Sequence, residues 1–131
     1  MSQENVDRFL EALASWNRRD LAGVLRIMDP EIRFEHRLAA FQGSCVGLEE
    51  VKEFLRDIAD NFATWEIDSR DVRDLGDRVL ALGINHATGQ GSGVETELPF
   101  AVVATFKDGR ITHYIDFGDR EQALEAAGLT E

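Results

Sequence analysis

The feature that most limits what this chain can fold into is a change of hydrophobic period at Trp65. Before it, apolar residues recur mostly at helical spacing; after it, they recur every second residue. Val6, Phe9, Leu10, Leu13 and Trp16 form one helical stripe. Asp20 is placed to cap a second, short helix carrying Leu21, Val24, Leu25 and Met28. "DPE" ends that helix, because a proline disfavours helical backbone in the residue before it. "EIRFEHR" then alternates strictly, with Ile32, Phe34 and His36 on one face, and reads as a half-buried strand. A loop with Gly43 and Gly47 leads to a third helix over "LEEVKEFLRDIADNF". Its stripe is Leu48, Val51, Leu55, Ile58 and Phe62, with Glu49 and Glu50 suited to its first turn.

Beyond Trp65 the spacing predicts strands near 65–72, 78–87, 95–107 and 110–117. "LGD" joins the first two and Asp108-Gly109 turns the last hairpin. "TGQGSGVE" lies between two strands; a phosphate cradle needs a helix after the glycines, so this reads as a mobile hairpin loop. Asp119 and Gln122 resemble a capping pair for a last short helix that stops at Gly128. Helices first and an antiparallel meander after them define an α+β layout with helices on one sheet face. "VLALGI" and "FAVVATF" are apolar on both faces, so the second face needs a cover too. Too little helix remains to supply it, which makes a partner subunit the simplest cover and a homodimer the expectation.

Fourteen basic residues against twenty-five acidic ones give a formal charge of −11. Such a surface repels phosphate backbones and anionic lipid, so neither nucleic acid nor a membrane surface is an expected partner. No apolar run reaches membrane-spanning length, and "MSQENVDRFL" lacks the basic-then-apolar pattern of a signal peptide. The single cysteine, Cys45, cannot form an intrachain disulfide and reads as a free thiol in a Gly-rich loop. A cytoplasmic location is the expectation that fits. His36, His86 and His113 lack close metal-ligand spacing, so no metal site is expected.

Three stretches in this order, "FLEALASWNRRDLAGVLRIMDPEIRFEH", "GLEEVKEFL" and "VVATFKDGRITHYIDFGDREQALEAAGL", resemble the nuclear transport factor 2-like superfamily and, within it, the SnoaL-like polyketide cyclases. The resemblance spans nearly the whole chain. It implies a cone-shaped fold, one domain over residues 1–131, in which helices pack on a curved antiparallel sheet around a small-molecule pocket. Homodimers through the outer sheet face are common in such proteins, and the cyclase relatives work without a cofactor. The fold also hosts isomerases, hydrolases, dehydratases and non-catalytic modules, so it does not fix an activity.

In "ITHYIDF", alternation puts Thr112, Tyr114 and Asp116 on one face and Ile111, His113, Ile115 and Phe117 on the other. On the residues alone, Asp116 is either a solvated edge carboxylate or a pocket acid. The resemblance implies the second, since an aspartate on this last strand acts as acid or base in SnoaL-like cyclases and in limonene-epoxide hydrolase. Tyr114 would then line the same pocket. His36 is either a core-margin histidine or a second titrating group, near where ketosteroid isomerase carries its aspartate base. Asn85 shares a face with Ala81 and Gly83 and could orient a water or a carbonyl. By the resemblance, Gly83 stands where limonene-epoxide hydrolase has arginine and Asn85 where it has its second aspartate. Ala12 and Val102 stand where ketosteroid isomerase has its oxyanion donors. Neither catalytic set is complete.

Trp16, Phe34, Phe62 and Trp65 are the expected apolar pocket wall. The expected function is a pocket protein for a hydrophobic small molecule, acting as a cofactor-independent isomerase or cyclase by proton transfer next to a carbonyl. The alternative is a non-catalytic ligand-binding or assembly module of the same fold.

Overall fold

The computed structural model describes residues 2–38 and 41–129. Two helices, α1 (Ser2–Asn17) and α2 (Leu21–Arg26), precede strands β1 (Met28–Leu38) and β2 (Phe41–Val46). Helix α3 (Leu48–Asn61) follows, then β3 (Phe62–Asp74), β4 (Arg78–Gly89), β5 (Glu95–Lys107), β6 (Arg110–Asp116) and α4 (Arg120–Ala126). The strands form one curved, open α+β sheet in the order β2-β1-β6-β5-β4-β3. Every neighbouring pair is antiparallel except β1 with β6, which run parallel.

Local chemistry sets most boundaries. The Asp20 side chain accepts from the Gly23 N–H and starts α2. Asp119 accepts from the Glu121 N–H and starts α4, while Gln122 bonds the Asp119 carboxylate. At the last hairpin Asp108 and Gly109 have φ of 51° and 79°, the left-handed pair a tight two-residue turn requires. The 90–94 segment is a hairpin loop closed by the Gly89 N–H donating to the Val94 carbonyl.

Four features depart from the sequence reading. Strand β1 begins at Met28, so Pro30 lies inside it rather than before it. The expected loop around Gly43 contains β2, an edge strand paired antiparallel with β1. Gly43 is needed there because a Cβ would stand 2.7 Å from the Phe54 ring. Cys45 is therefore a buried strand residue, and burial, then the Glu50 charge, raises its thiol above the ordinary value. Helix α3 ends at Asn61, and Phe62 is its extended cap and the first residue of β3.

The fourth departure concerns the outer sheet face. The main core lies between α1–α3 and the inner face, with Phe9, Val51, Val79, Phe100, Val102 and Ile111 at its centre. On the opposite face, Leu80, Leu82, Ala101 and Val103 pack against Phe117, against Ala123 and Leu124 of α4 and against its C-cap Ala127. Seven residues of helix suffice because the doubly apolar patch is only two strands wide. An uncovered face therefore no longer argues for a partner subunit. No helix of the described residues is long and apolar enough to cross a membrane.

Candidate functional site

Between α1–α3 and the inner sheet face lies a cavity of about 60 Å³, walled mainly by apolar side chains and reached by His36, Asn85, Tyr114 and Asp116. Two backbone irregularities aim these groups. The β5–β6 ladder slips between Thr105 and Phe106, pairing Phe106 with Ile111 and Thr105 with His113. Thr112 is the extra residue, its hydroxyl bonded to the Thr105 carbonyl. Ile111 thereby joins Tyr114 and Asp116 at the cavity wall, where simple alternation puts it on the opposite face. The β1–β6 register also shifts, and beyond that point Phe34 faces Tyr114 and His36 faces Asp116 directly.

The parallel register thus sets an aromatic pair beside an acid–imidazole pair. The Phe34 and Tyr114 rings stack at 4.6 Å with an interplanar angle of 3°. His36 Nε2 lies 3.3 Å from Asp116 Oδ2, and His36 packs on Phe34 and Phe54. Asp116 is 1% exposed, and its Oδ1 accepts from the Gly118 N–H at 3.0 Å. Burial pushes its carboxyl above the usual range, against the opposing pull of His36 and of the Gly118 and Ala101 N–H groups. The enclosed Tyr114 hydroxyl is held well above its ordinary value, first by burial and then by the Asp116 charge. A carboxyl that resists ionisation beside an imidazole can hold one mobile proton between two basic atoms.

Asn85, expected to orient a water or a carbonyl, reaches the cavity with both ends of its amide engaged. Its Oδ1 accepts from Trp65 Nε1 at 3.0 Å and its Nδ2 donates to the Pro99 carbonyl at 3.0 Å. Half of the amide's hydrogen-bonding capacity goes to fixing Trp65 and tying β4 to β5. Gly83, two residues earlier, admits no side chain, since a Cβ would lie 2.0 Å from the Asp68 carbonyl oxygen. Trp16, Phe34 and Trp65 line the cavity. Phe62 does not: leaving the helix at that residue turns its ring out of the α3 stripe, edge-on to Trp65 at 4.8 Å. Leu55 and Ile58 of α3 take that part of the wall.

His86 pairs with Glu97 at 3.2 Å, away from His36, and among the described residues no three His, Cys, Asp or Glu side chains are grouped to hold a metal ion. Sequence reasoning missed Met28 and Ile111, the two cavity residues that meet across the β1–β6 slip. The parallel pairing that brings them together has no local signature.

Helices and an open curved sheet around a cavity, with an aspartate on the last strand, define a nuclear transport factor 2-like α+β protein. The SnoaL-like domain model matches residues 6–114, and the chain belongs to that family. A nuclear transport factor 2-like protein of unknown function from Burkholderia pseudomallei superposes with a TM-score of 0.80 at 26% identity, covering 93% of this chain and 95% of that one. TerC, co-crystallised with polyporic acid, gives 0.79 at 25% identity over 95% of this chain and 98% of its own. A candidate SnoaL-like polyketide cyclase from Jannaschia sp. shares the fold, with a TM-score of 0.76 at 18% identity over 87% and 84% of the two chains. No curated protein matches the sequence.

Proposed function

We propose that this SnoaL-like chain binds a small apolar carbonyl compound in its cavity and moves a proton at the carbon next to the carbonyl, as a cofactor-independent isomerase or cyclase. The observation that carries this reading is Asp116: almost fully buried at an apolar cavity wall, held protonated more readily than an ordinary aspartate, and paired with His36 at 3.3 Å. The basic member of the pair withdraws the proton from carbon, and the electron pair flows into the carbonyl to form an enol or enolate. Returning the proton to a different carbon completes an isomerisation. Attack of the enol carbon on a second carbonyl, with the proton delivered to the new alkoxide, completes an aldol cyclisation. Tyr114, whose hydroxyl stays protonated, is the donor nearest in sequence for that oxygen. TerC, a protein of this fold at 25% identity, was co-crystallised with polyporic acid, which supports a small-molecule ligand for this chain.

The test is hydrogen exchange in D₂O. Cyclohexanone and cyclohexane-1,4-dione, followed by proton NMR, should lose their α-protons faster with the protein than in buffer alone. Asp116→Asn should abolish the acceleration, and His36→Gln should reduce it by about 10²-fold or more. Binding without accelerated exchange favours the second reading, a non-catalytic ligand carrier. That reading draws on the commitment of the Asn85 amide to Trp65 and Pro99. Partnership with another copy of the chain, and residence in the cytoplasm, stay part of the proposal; sedimentation at micromolar concentration tests the first.

A further inference from the structure

Trp16 and Trp65 line the main cavity, and both also line a second hollow of about 50 Å³ whose other walls are Arg19, Leu21 and Ala59. The two indoles therefore form the partition between the hollows. They differ in one respect. Trp65 Nε1 donates to Asn85 Oδ1, and that amide is anchored in turn on the Pro99 carbonyl. Trp16 Nε1 is buried and has no hydrogen-bond partner; it is the only buried side-chain polar atom of the described residues in that condition.

Native proteins seldom leave a buried donor unsatisfied, and where they do the group calls for a reason. Packing does not supply one, because a phenylalanine offers an aromatic ring to the same apolar wall without an unmet N–H. The neighbouring Arg19 does not supply one either; it is a donor itself, and its guanidinium bonds the Phe62 and Ala63 carbonyls. An acceptor that arrives with the occupant of the cavity supplies the missing partner.

We propose that the Trp16 indole N–H is the second polar anchor for the cavity's ligand, donating to an oxygen on the bound molecule. The ligand is then an apolar frame with two oxygen functions. One is a carbonyl at the His36–Asp116 pair on the sheet wall, a placement that rests on the function proposed above. The other is a hydrogen-bond acceptor at the α1 wall. Because the N–H is shielded in the closed arrangement, the Trp16 ring turns as the ligand seats, and the second hollow gives it room. Trp65, tethered by Asn85, keeps its place and preserves the cavity wall.

The experiment uses ¹⁵N-labelled full chain, whose two tryptophans give two indole N–H signals, assigned with Trp16→Phe and independently with Trp65→Phe. The probes are cyclohexane-1,4-dione and cyclohexanone, a matched pair with two oxygens and one. At saturation the dione should move the Trp16 indole proton to lower field and leave that of Trp65 nearly in place. Cyclohexanone should shift the signals of His36 while moving Trp16 much less. Trp16→Phe should weaken the dione by up to about tenfold, one hydrogen bond's worth, and change cyclohexanone less than twofold. A Trp16 signal unmoved by saturating dione overturns the proposal. So does an equal loss of both ketones in Trp16→Phe, which is the signature of a packing role, and so does failure of either ketone to bind. The wild-type spectra keep the test decisive should the variant fold poorly. A shifted Trp16 signal without accelerated α-proton exchange leaves this inference standing and removes the acid–base reading; accelerated exchange with a silent Trp16 does the reverse.

Discussion

Strands β4 and β5 serve two interfaces, and the two are built on opposite plans. Toward α4 they offer Leu80, Leu82, Ala101 and Val103, which cluster with Phe117, Ala123, Leu124 and Ala127. Toward α1–α3 they offer Val79, Ala81, Phe100 and Val102 as well, but Asn85 stands on the same side, and β1 and β6 add His36 and Asp116. All three polar residues are buried and all three line the cavity. The outer interface is apolar where α4 packs, and the charged side chains near it, Arg70, Asp71 and Arg120, stand around a hollow beside Leu82 and Ala101. The inner one carries buried polar groups around its cavity, and such groups lower stability unless something is gained from them. The difference teaches where the fold concentrates its chemistry: in the wall that α4 does not touch.

The comparison breaks most visibly at Val103. It is 7% exposed and packs in the α4 cluster. Val103→Asp would place a carboxylate among the apolar side chains of that cluster. Chemical denaturation should show a loss of about 4 kcal/mol or more, or no folded protein at all. A folded variant of unchanged stability would mean that α4 leaves this face in solution. If Val103→Asp also turned a dimer into a monomer, the outer face would belong to a subunit interface instead.

A gentler pair of changes sharpens the contrast. Leu80 is fully buried on the α4 side, and Leu55 lines the existing cavity. Leu80→Ala opens a new void in a close-packed layer and should cost about 3–4 kcal/mol, within the range for buried leucine truncations. Leu55→Ala enlarges space that is already empty and should cost about 2 kcal/mol, near the lower end. Equal costs, measured by urea titration with unchanged slope, would show that Leu55 is packed as closely as Leu80 and that the cavity is not a persistent feature.

How much of this is legible in the sequence depends on whether the signal is local. The period change at Trp65, the caps at Asp20 and Asp119 and the Asp108-Gly109 turn all depend on neighbours within a few residues, and the elements they mark are present. Strand β2 escapes notice because Gly43 and Ser44 break the apolar alternation; its pairing with β1, not its own composition, makes it a strand. The covering role of α4 escapes because its few apolar residues gain weight only against Leu80 and Val103. At the site, spacing alone cannot orient Asp116, and the family resemblance supplies that. Alternation misplaces Ile111, because one bulged residue at Thr112 resets the phase of the strand. Phe62 is misread for the converse reason: helical spacing carries a stripe one residue past the end of the helix.

The smallest expected effect lies at Asp116 itself, and its sign follows from burial. Among the causes acting on this carboxyl, desolvation is the largest and raises its pKa; the attraction of His36 and the two backbone N–H groups opposes it without cancelling it. The folded chain therefore holds the Asp116 proton more tightly than the unfolded chain, whose aspartate titrates near about 3.9. Below that value both states are protonated and the group's contribution is fully present. As pH rises toward the raised folded value, the unfolded state ionises first, binds fewer protons than the native state, and stability falls. Above the folded value the loss is complete and the curve levels. Asp116→Asn removes this titration while its amide oxygen can still accept from the Gly118 N–H. The stability difference between variant and native chain should therefore shift in favour of the variant across that window, by about 1 kcal/mol for each unit by which the carboxyl is raised. Loss of the ionised contact with His36 works against the variant at neutral pH, so the change with pH, not the absolute value at one pH, is the informative quantity. Urea midpoints measured from pH 3.5 to 7.5 decide it. Parallel curves for the native chain and Asp116→Asn would mean that Asp116 ionises in the fold as easily as in water, and the inner wall would then lose the property that sets it apart from the outer one.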